Sequence, residues 1–292
     1  MPATRLPPAE WFPAGWPGLT ARRVTLADGT TLRVVEAGAA DGKPVLLLHG
    51  WAVSAYLWRH TLGALAADGY RVYAPDLPGH GLSDAPTTKG EYTLDKFASR
   101  IEQLLDALGV RSLPILAQSM GGRVGTELAA RGRATKLALF GPVGFGEVTP
   151  ARAYAPFIPE FVGELATALV TRRMVEVVQR RVQGKLGWFT ERDVDEYWAP
   201  TQFPPVVRAQ VQMLREFSWN PLTPAELAAI TVDTLVVFGT LDRTVRPRLA
   251  QTQVAGLPHG RIEWIADAGH VVMEEVPERT NALLVEFLRS AG

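Results

Sequence analysis

From Arg23 to Glu36 apolar and polar side chains alternate, so that Val24 and Leu26 are set to face Leu32 and Val34 across Asp28-Gly29. A period of two predicts strands, and an Asp-Gly dipeptide favours the positive φ of a tight hairpin turn. An antiparallel hairpin is expected here. Short apolar runs then recur at Val45–Leu48, Arg71–Ala74, Ile115–Ala117, Leu137–Phe140, Leu235–Phe238 and Ile262–Ile265. Runs that are apolar on both faces suit buried parallel strands.

Between these runs the period changes. Phe97, Ile101, Leu104, Leu105 and Leu108 keep the three-and-four spacing of one helical face, and Gly109 follows as a left-handed stop. Val124 and Leu128 repeat the spacing after Gly122, and Leu284, Phe287 and Leu288 repeat it after Pro277. Strands alternating with helices predict an α/β fold, with a mainly parallel sheet covered on both faces.

The alternation stops between about Gly146 and Ile230, where no strand-like run is expected and helical spacing takes over: Phe161, Leu165 and Leu169, then Met174, Val178 and Val182. Two helix starts stand out in this block, Thr190 with Asp193 and Thr223-Pro224 with Glu226, each pairing a capping oxygen with a first-turn carboxylate. The expected organisation is an N-terminal arm over 1–20, a core over 21–145 and 231–292, and a helical lid over 146–230. The arm carries Trp11 and Trp16 and is expected to pack on the body. A lid is favoured because ligands of such sheets bind at the carboxyl edge, which an insertion there would cover.

Composition narrows the partners. Lys+Arg 30 against Asp+Glu 30 leaves no net charge to hold the chain on phosphate backbones, so nucleic acid is not an expected partner. The hydrophobic share of 47% suffices for a large core, and no apolar stretch is long enough for a membrane span. No basic patch leads into an apolar stretch at the start, so a cytoplasmic location is expected. Cysteine is absent, which removes thiolate chemistry. The five histidines show no paired ligand spacing, so neither a metal nor another cofactor is expected.

The chemistry concentrates at L-P-I-L-A-Q-S-M-G-G, Leu113 to Gly122, where an apolar strand meets a helix start at Ser119. A sharp strand-to-helix turn lifts a serine oxygen clear of the backbone and needs little bulk two residues either side, which Ala117 and Gly121 provide. Asp242 follows T-L-V-V-F-G-T-L, and His270 follows the next strand in D-A-G-H, so all three fall at carboxyl edges. In this order the chain resembles the α/β-hydrolase superfamily, whose elbow is usually written G-x-S-x-G; Ala117 replaces the first glycine. The segment L-L-L-H-G-W, Leu46 to Trp51, is similar to the family's H-G-x loop, and D-L-P-G-H-G-L-S-D, Asp76 to Asp84, to its turn after the fourth strand.

The resemblance implies a mostly parallel eight-stranded sheet with helices on both faces and a helical cap insertion. It also implies a serine carboxylesterase or lipase-like activity on a small-molecule ester, with Ser119 as nucleophile, His270 as base and Asp242 as its orienting acid. The backbone amides of Trp51 and Met120 would form the oxyanion hole. His49 is expected to hydrogen-bond within its loop, and His80, Ser83 and Asp84 to be paired locally. Trp51, Met120, Phe157, Phe161 and Trp188 are equally candidates for a pocket lining or for plain core. The run Gly141 to Gly146 reads as a flexible exit into the insertion.

Related haloalkane dehalogenases and epoxide hydrolases carry an aspartate nucleophile, which Ser119 replaces here. Carbon–carbon bond hydrolases share the S-M-G-G elbow and are the nearest alternative, with cofactor-free perhydrolases. They usually follow the histidine with tryptophan where Val271 stands, and use a lid arginine; Arg172, Arg173, Arg180 and Arg181 read better as a solvated helix face. A non-catalytic small-molecule binder on the same fold is the third class. The sequence is compatible with a monomer or a homodimer.

Overall fold

A computed structural model of the chain describes residues 6–148 and 170–290. Eight strands form one sheet: β1 (Leu19–Thr25), β2 (Thr31–Ala37), β3 (Lys43–Leu48), β4 (Tyr70–Pro75), β5 (Leu113–Gln118), β6 (Ala134–Phe140), β8 (Thr234–Gly239) and β10 (Gly260–Ile265). Their spatial order is β1-β2-β4-β3-β5-β6-β8-β10. The β1–β2 and β2–β4 pairs are antiparallel and the others parallel. The opening hairpin forms as expected, with Gly29 at φ +85°, but Val34 faces Arg22, and Leu26 falls in the turn, its carbonyl accepting from Gly29.

Alternation within the central strands sends their side chains into two separate cores. Leu46, Leu48, Ile115 and Ala117 pack with α2 (Leu94–Ala107) and α3 (Ser119–Ala130) on one face. Val45, Leu47 and Leu116 pack with α1 (Arg59–Ala67) and, through Leu284 and Phe287, with the C-terminal helix Pro277–Arg289 on the other. Each buried leucine, isoleucine or valine among them contributes roughly 1.5–3 kcal/mol before the entropy of ordering is counted. Both faces being covered explains why these strands carry no polar alternation.

Chain direction reverses around β3: the connection from β3 leads to β4 on one side, and the next returns to β5 on the other. The carboxyl ends of β3 and β5 therefore flank a switch point, where open α/β sheets leave a crevice. Their ends lie in register at Leu48 and Ala117.

After β6 comes β7 (Glu147–Val148), which pairs antiparallel with β9 (Val245–Arg246) beside the main sheet. This corrects the expectation of a strand-free block: two residues are too short to show a period. Helices α4 (Arg172–Val182), α5 (Glu191–Trp198), α6 (Pro204–Glu216) and α7 (Pro224–Ala228) follow. Both capping boxes form, Thr190 with Asp193 and Thr223 with Glu226. The run Phe157, Phe161, Leu165 and Leu169 lies outside the described residues. Beyond β8 the chain adds α8 (Ala250–Ala255), α9 (Val272–Glu275) and α10 (Pro277–Arg289).

The arm packs on the body. Phe12 is fully buried against Tyr56; its amide donates to Glu196 on α5 and its carbonyl accepts from Arg33 on β2. A buried ion cluster joins α5 to α1 and α9. Arg59 on α1 pairs with Asp193 on α5 at 2.9 Å and with Glu274 on α9, while Tyr56 and Tyr197 donate their hydroxyls to Asp193 and Glu274. Among the described residues, no helix is long and apolar enough to cross a membrane.

Candidate active site

Strand β5 passes into α3 without a connecting residue, and the break falls on Ser119. Gln118 is still extended, whereas Ser119 has φ +52°. That is the left-handed region, uncommon for a residue with a Cβ and held only when the surroundings over-determine it. What holds it is close packing. A Cβ on Gly121 would lie 2.4 Å from the His49 carbonyl oxygen, so α3 can start against β3 only with glycine there. Ala117 is tolerated in place of the usual glycine because its methyl group points toward Gly125, where a Cβ would sit only 3.3 Å from it.

Asp242 and His270 meet at the ends of β8 and β10. Asp242 Oδ2 lies 2.7 Å from His270 Nδ1, and its Oδ1 accepts from the amides of Thr244 and Val245 at 2.8 and 2.9 Å. Both carboxylate oxygens are thus committed. In the neutral ring a carboxylate on Nδ1 keeps the proton there, leaving Nε2 as the basic nitrogen. Ser119 and His270 line the same cavity, of about 220 Å³.

The loop of His270 is held from the helical segment. The His270 amide donates to the Val182 carbonyl at 2.7 Å, and Glu275 accepts from the amides of Gly269 and Gly184, both at 2.8 Å. Burial pushes the Glu275 carboxyl above its ordinary value, against these bonds. Sequence reasoning assigned Glu275 no part; its signal was a carboxylate five residues after the histidine. Gly141 was also misjudged. With φ +48°, it would place a Cβ 2.9 Å from both Asp242 Oδ2 and His270 Nδ1, and Val143 and Phe145 beside it are buried. The run is a packed wall behind the Asp–His pair, not a flexible exit.

His49 behaves as expected. Its Nε2 accepts from the Leu77 amide at 2.9 Å, so its Nδ1 is the donor to the Gly50 carbonyl at 2.8 Å. That carbonyl shares a planar peptide with the Trp51 N–H, so the bond sets the direction in which the Trp51 amide points. Gly50 approaches closely, since a Cβ there would be 3.0 Å from the Ser119 Cβ. Met120 occupies the first turn of α3, where backbone amides have no intrahelical acceptor.

The segment after β4 is structural. Asp76 accepts from Arg33 at 2.7 Å and from the Ala55 and Leu82 amides, and Ser83 and Asp84 bond to the neighbouring backbone. Against the upward push of burial, Arg33 and His49 hold the Asp76 carboxyl below the usual carboxylate range. Burial pushes His49 down to about 4 and His80, whose ring centre lies 5.0 Å away, down to about 3.

Of the proposed lining residues, Trp51 lines the cavity, Met120 belongs to the core, and Trp188 stands half exposed against His60. Phe157 and Phe161 lie outside the described residues. Among the described lining residues there is no arginine or lysine: Arg172 pairs with Asp195 and Glu191, while Arg173, Arg180 and Arg181 are exposed. Among the described residues, no cluster of side chains suits a metal ion.

A family model of the alpha/beta hydrolase fold matches residues 43–277, and the chain belongs to that family. It is similar to a haloalkane dehalogenase from Psychrobacter cryohalolentis, 29% identical over 281 residues that cover 90% of this chain and 89% of that one. It is similar also to epoxide hydrolase A from Mycobacterium tuberculosis, 27% identical over 321 residues, covering 93% and 98%. The solved structure of carboxylesterase CesB from Bacillus subtilis matches with a TM-score of 0.79 at 21% identity, covering 95% and 94%, a likeness of fold. Family and relatives mark the chain as a hydrolase.

Proposed function

We propose that the protein hydrolyses carboxylic esters through an acyl-serine intermediate, with Ser119, His270 and Asp242 as its triad. One observation carries the reading: a serine on a strained strand-to-helix turn shares an apolar cavity with a histidine whose far nitrogen is held by a buried aspartate. A serine hydroxyl is a weak nucleophile at neutral pH and needs such a base. His270 Nε2 takes the Oγ proton as the oxygen attacks the ester carbonyl, and Asp242 stabilises the imidazolium. The amides of Trp51 and Met120 receive the developing oxyanion. The alcohol leaves with the proton from His270; a water then gives a proton to the same nitrogen as it attacks the acyl carbon, and the bond to Ser119 Oγ breaks as His270 returns that proton to it, releasing the acid and the free serine.

Serine rather than aspartate at the elbow separates this chemistry from the alkyl-ester route that the family resemblance associates with haloalkane dehalogenases and epoxide hydrolases. The carbon–carbon hydrolase alternative is less favoured, because none of the four candidate lid arginines lines the cavity. Helices α4 to α6 serve as the lid, since Val178, Tyr197 and Leu214 complete the cavity wall above Ser119. Stopped-flow hydrolysis of p-nitrophenyl esters of graded chain length tests the reading. A burst equal to the enzyme concentration in wild type, absent in Ser119→Ala, is the expected result; equal turnover by the variant refutes it. A ring-cleavage dienone in the same panel, turned over faster than every ester, would establish the alternative.

A further inference from the structure

The cavity wall contains polar side chains, but almost all of them are already engaged. The indole N–H groups of Trp51 and Trp219 donate to the carbonyls of Gln210 and Met213 at 3.1 and 3.2 Å. Gln118 donates to the His270 carbonyl, Tyr197 donates to Glu274, and Glu274 is paired with Arg59. Thr244 has a partner as well. Apart from the reacting groups, this leaves Gln179 on α4.

Gln179 is only 6% exposed and is the one buried residue of its helix. Its neighbours Val177 and Val178 stand more than half exposed. Its side-chain amide makes no hydrogen bond to a described residue, and it lines the same cavity as Ser119 and His270. A primary amide facing a mainly apolar cavity gives up part of its hydration, a loss that a hydrogen bond from a bound molecule offsets. The helix thus brings its single buried side chain, an amide with no hydrogen bond to a described residue, to the cavity wall, where a bound molecule can supply the partner. Pockets of this kind are mainly apolar, with a few placed polar groups that fix orientation.

We propose that Gln179 is the specificity-determining contact of this site, binding a neutral hydrogen-bonding group, such as a hydroxyl or carbonyl, on the substrate portion remote from the scissile ester. The amide offers both donor and acceptor but no charge, and no arginine or lysine is among the described lining residues, so a neutral group is matched better than a carboxylate, whose desolvation no described cation offsets. This rests on the ester-hydrolase reading for the word substrate, though the binding itself does not require catalysis.

Calorimetric titration of wild type and Gln179→Leu with linear alcohols of four to eight carbons and the matching terminal diols tests it. For at least one chain length, the ratio of diol to mono-alcohol dissociation constants should rise about five- to tenfold in the variant, the worth of one neutral hydrogen bond. The mono-alcohol should bind both proteins alike, which separates a lost contact from a disturbed fold. An unchanged ratio at every length overturns the proposal. The Ser119 burst assay on the same preparations keeps the two readings apart, because its absence counts against hydrolysis while the binding ratio still decides the role of Gln179.

Discussion

The carboxyl edge of the sheet and the helix that faces it are built on opposite terms. At the edge each residue of the proposed triad is held from several sides. Ser119 is locked by the elbow, Asp242 has both oxygens engaged, and His270 is fixed through its ring and its amide. Helix α4, across the cavity, exposes Met174, Val177 and Val178 and buries only Gln179. On the proposed reading, chemistry sits on the over-determined part of the molecule and recognition on a part with few constraints, where side chains can change without disturbing the reaction.

The largest effect should come from breaking the junction between the core and α5, the helix on which α4 packs. Arg59→Met would leave the Asp193 and Glu274 carboxylates buried without their cation, a loss of roughly 3–5 kcal/mol. Urea unfolding measures it; a change below about 1 kcal/mol would mean that apolar packing alone joins α5 to the core. Within the edge, Gly141→Ala should lower kcat roughly 100-fold, because its methyl group would meet both Asp242 and His270. Steady-state kinetics at unchanged fold reads this, and activity near wild type would show that the pair yields without cost.

Acid should weaken the edge before it reaches α4. His49 and His80 fall from their ordinary 6.5 to about 4 and about 3 on folding, so below pH 6.5 the unfolded chain takes up protons that the folded chain refuses. Stability is complete above that pH and is lost as pH falls toward the folded values, by roughly 2 kcal/mol per histidine between pH 7 and 5. Urea midpoints across that range check the sign. The smallest effect belongs to Val177→Ser on the exposed face of α4, expected within about 0.5 kcal/mol of wild type; a larger loss would show that this face is covered.

The central strands were legible because burial on both faces makes them unbroken apolar runs, as at Val45–Leu48 and Leu235–Phe238. The elbow was legible because its mechanics demand small residues beside Ser119, and the later helices because Thr190 with Asp193 is a local signal. What stayed hidden depends on contacts distant in sequence. Gly141 reads as a loop glycine until Asp242 and His270 are placed against it, and Glu275 has no partner until Gly184 arrives from another element. Gln179 lies on a helix whose apolar spacing, Met174, Val178 and Val182, does not mark it.

The most direct test is mass spectrometry of the intact protein after a fluorophosphonate probe, followed by peptide mapping. A single stoichiometric adduct on the peptide carrying Ser119, lost in His270→Ala, is the predicted outcome. A folded protein that stays unlabelled, or is labelled at another residue, would contradict the triad.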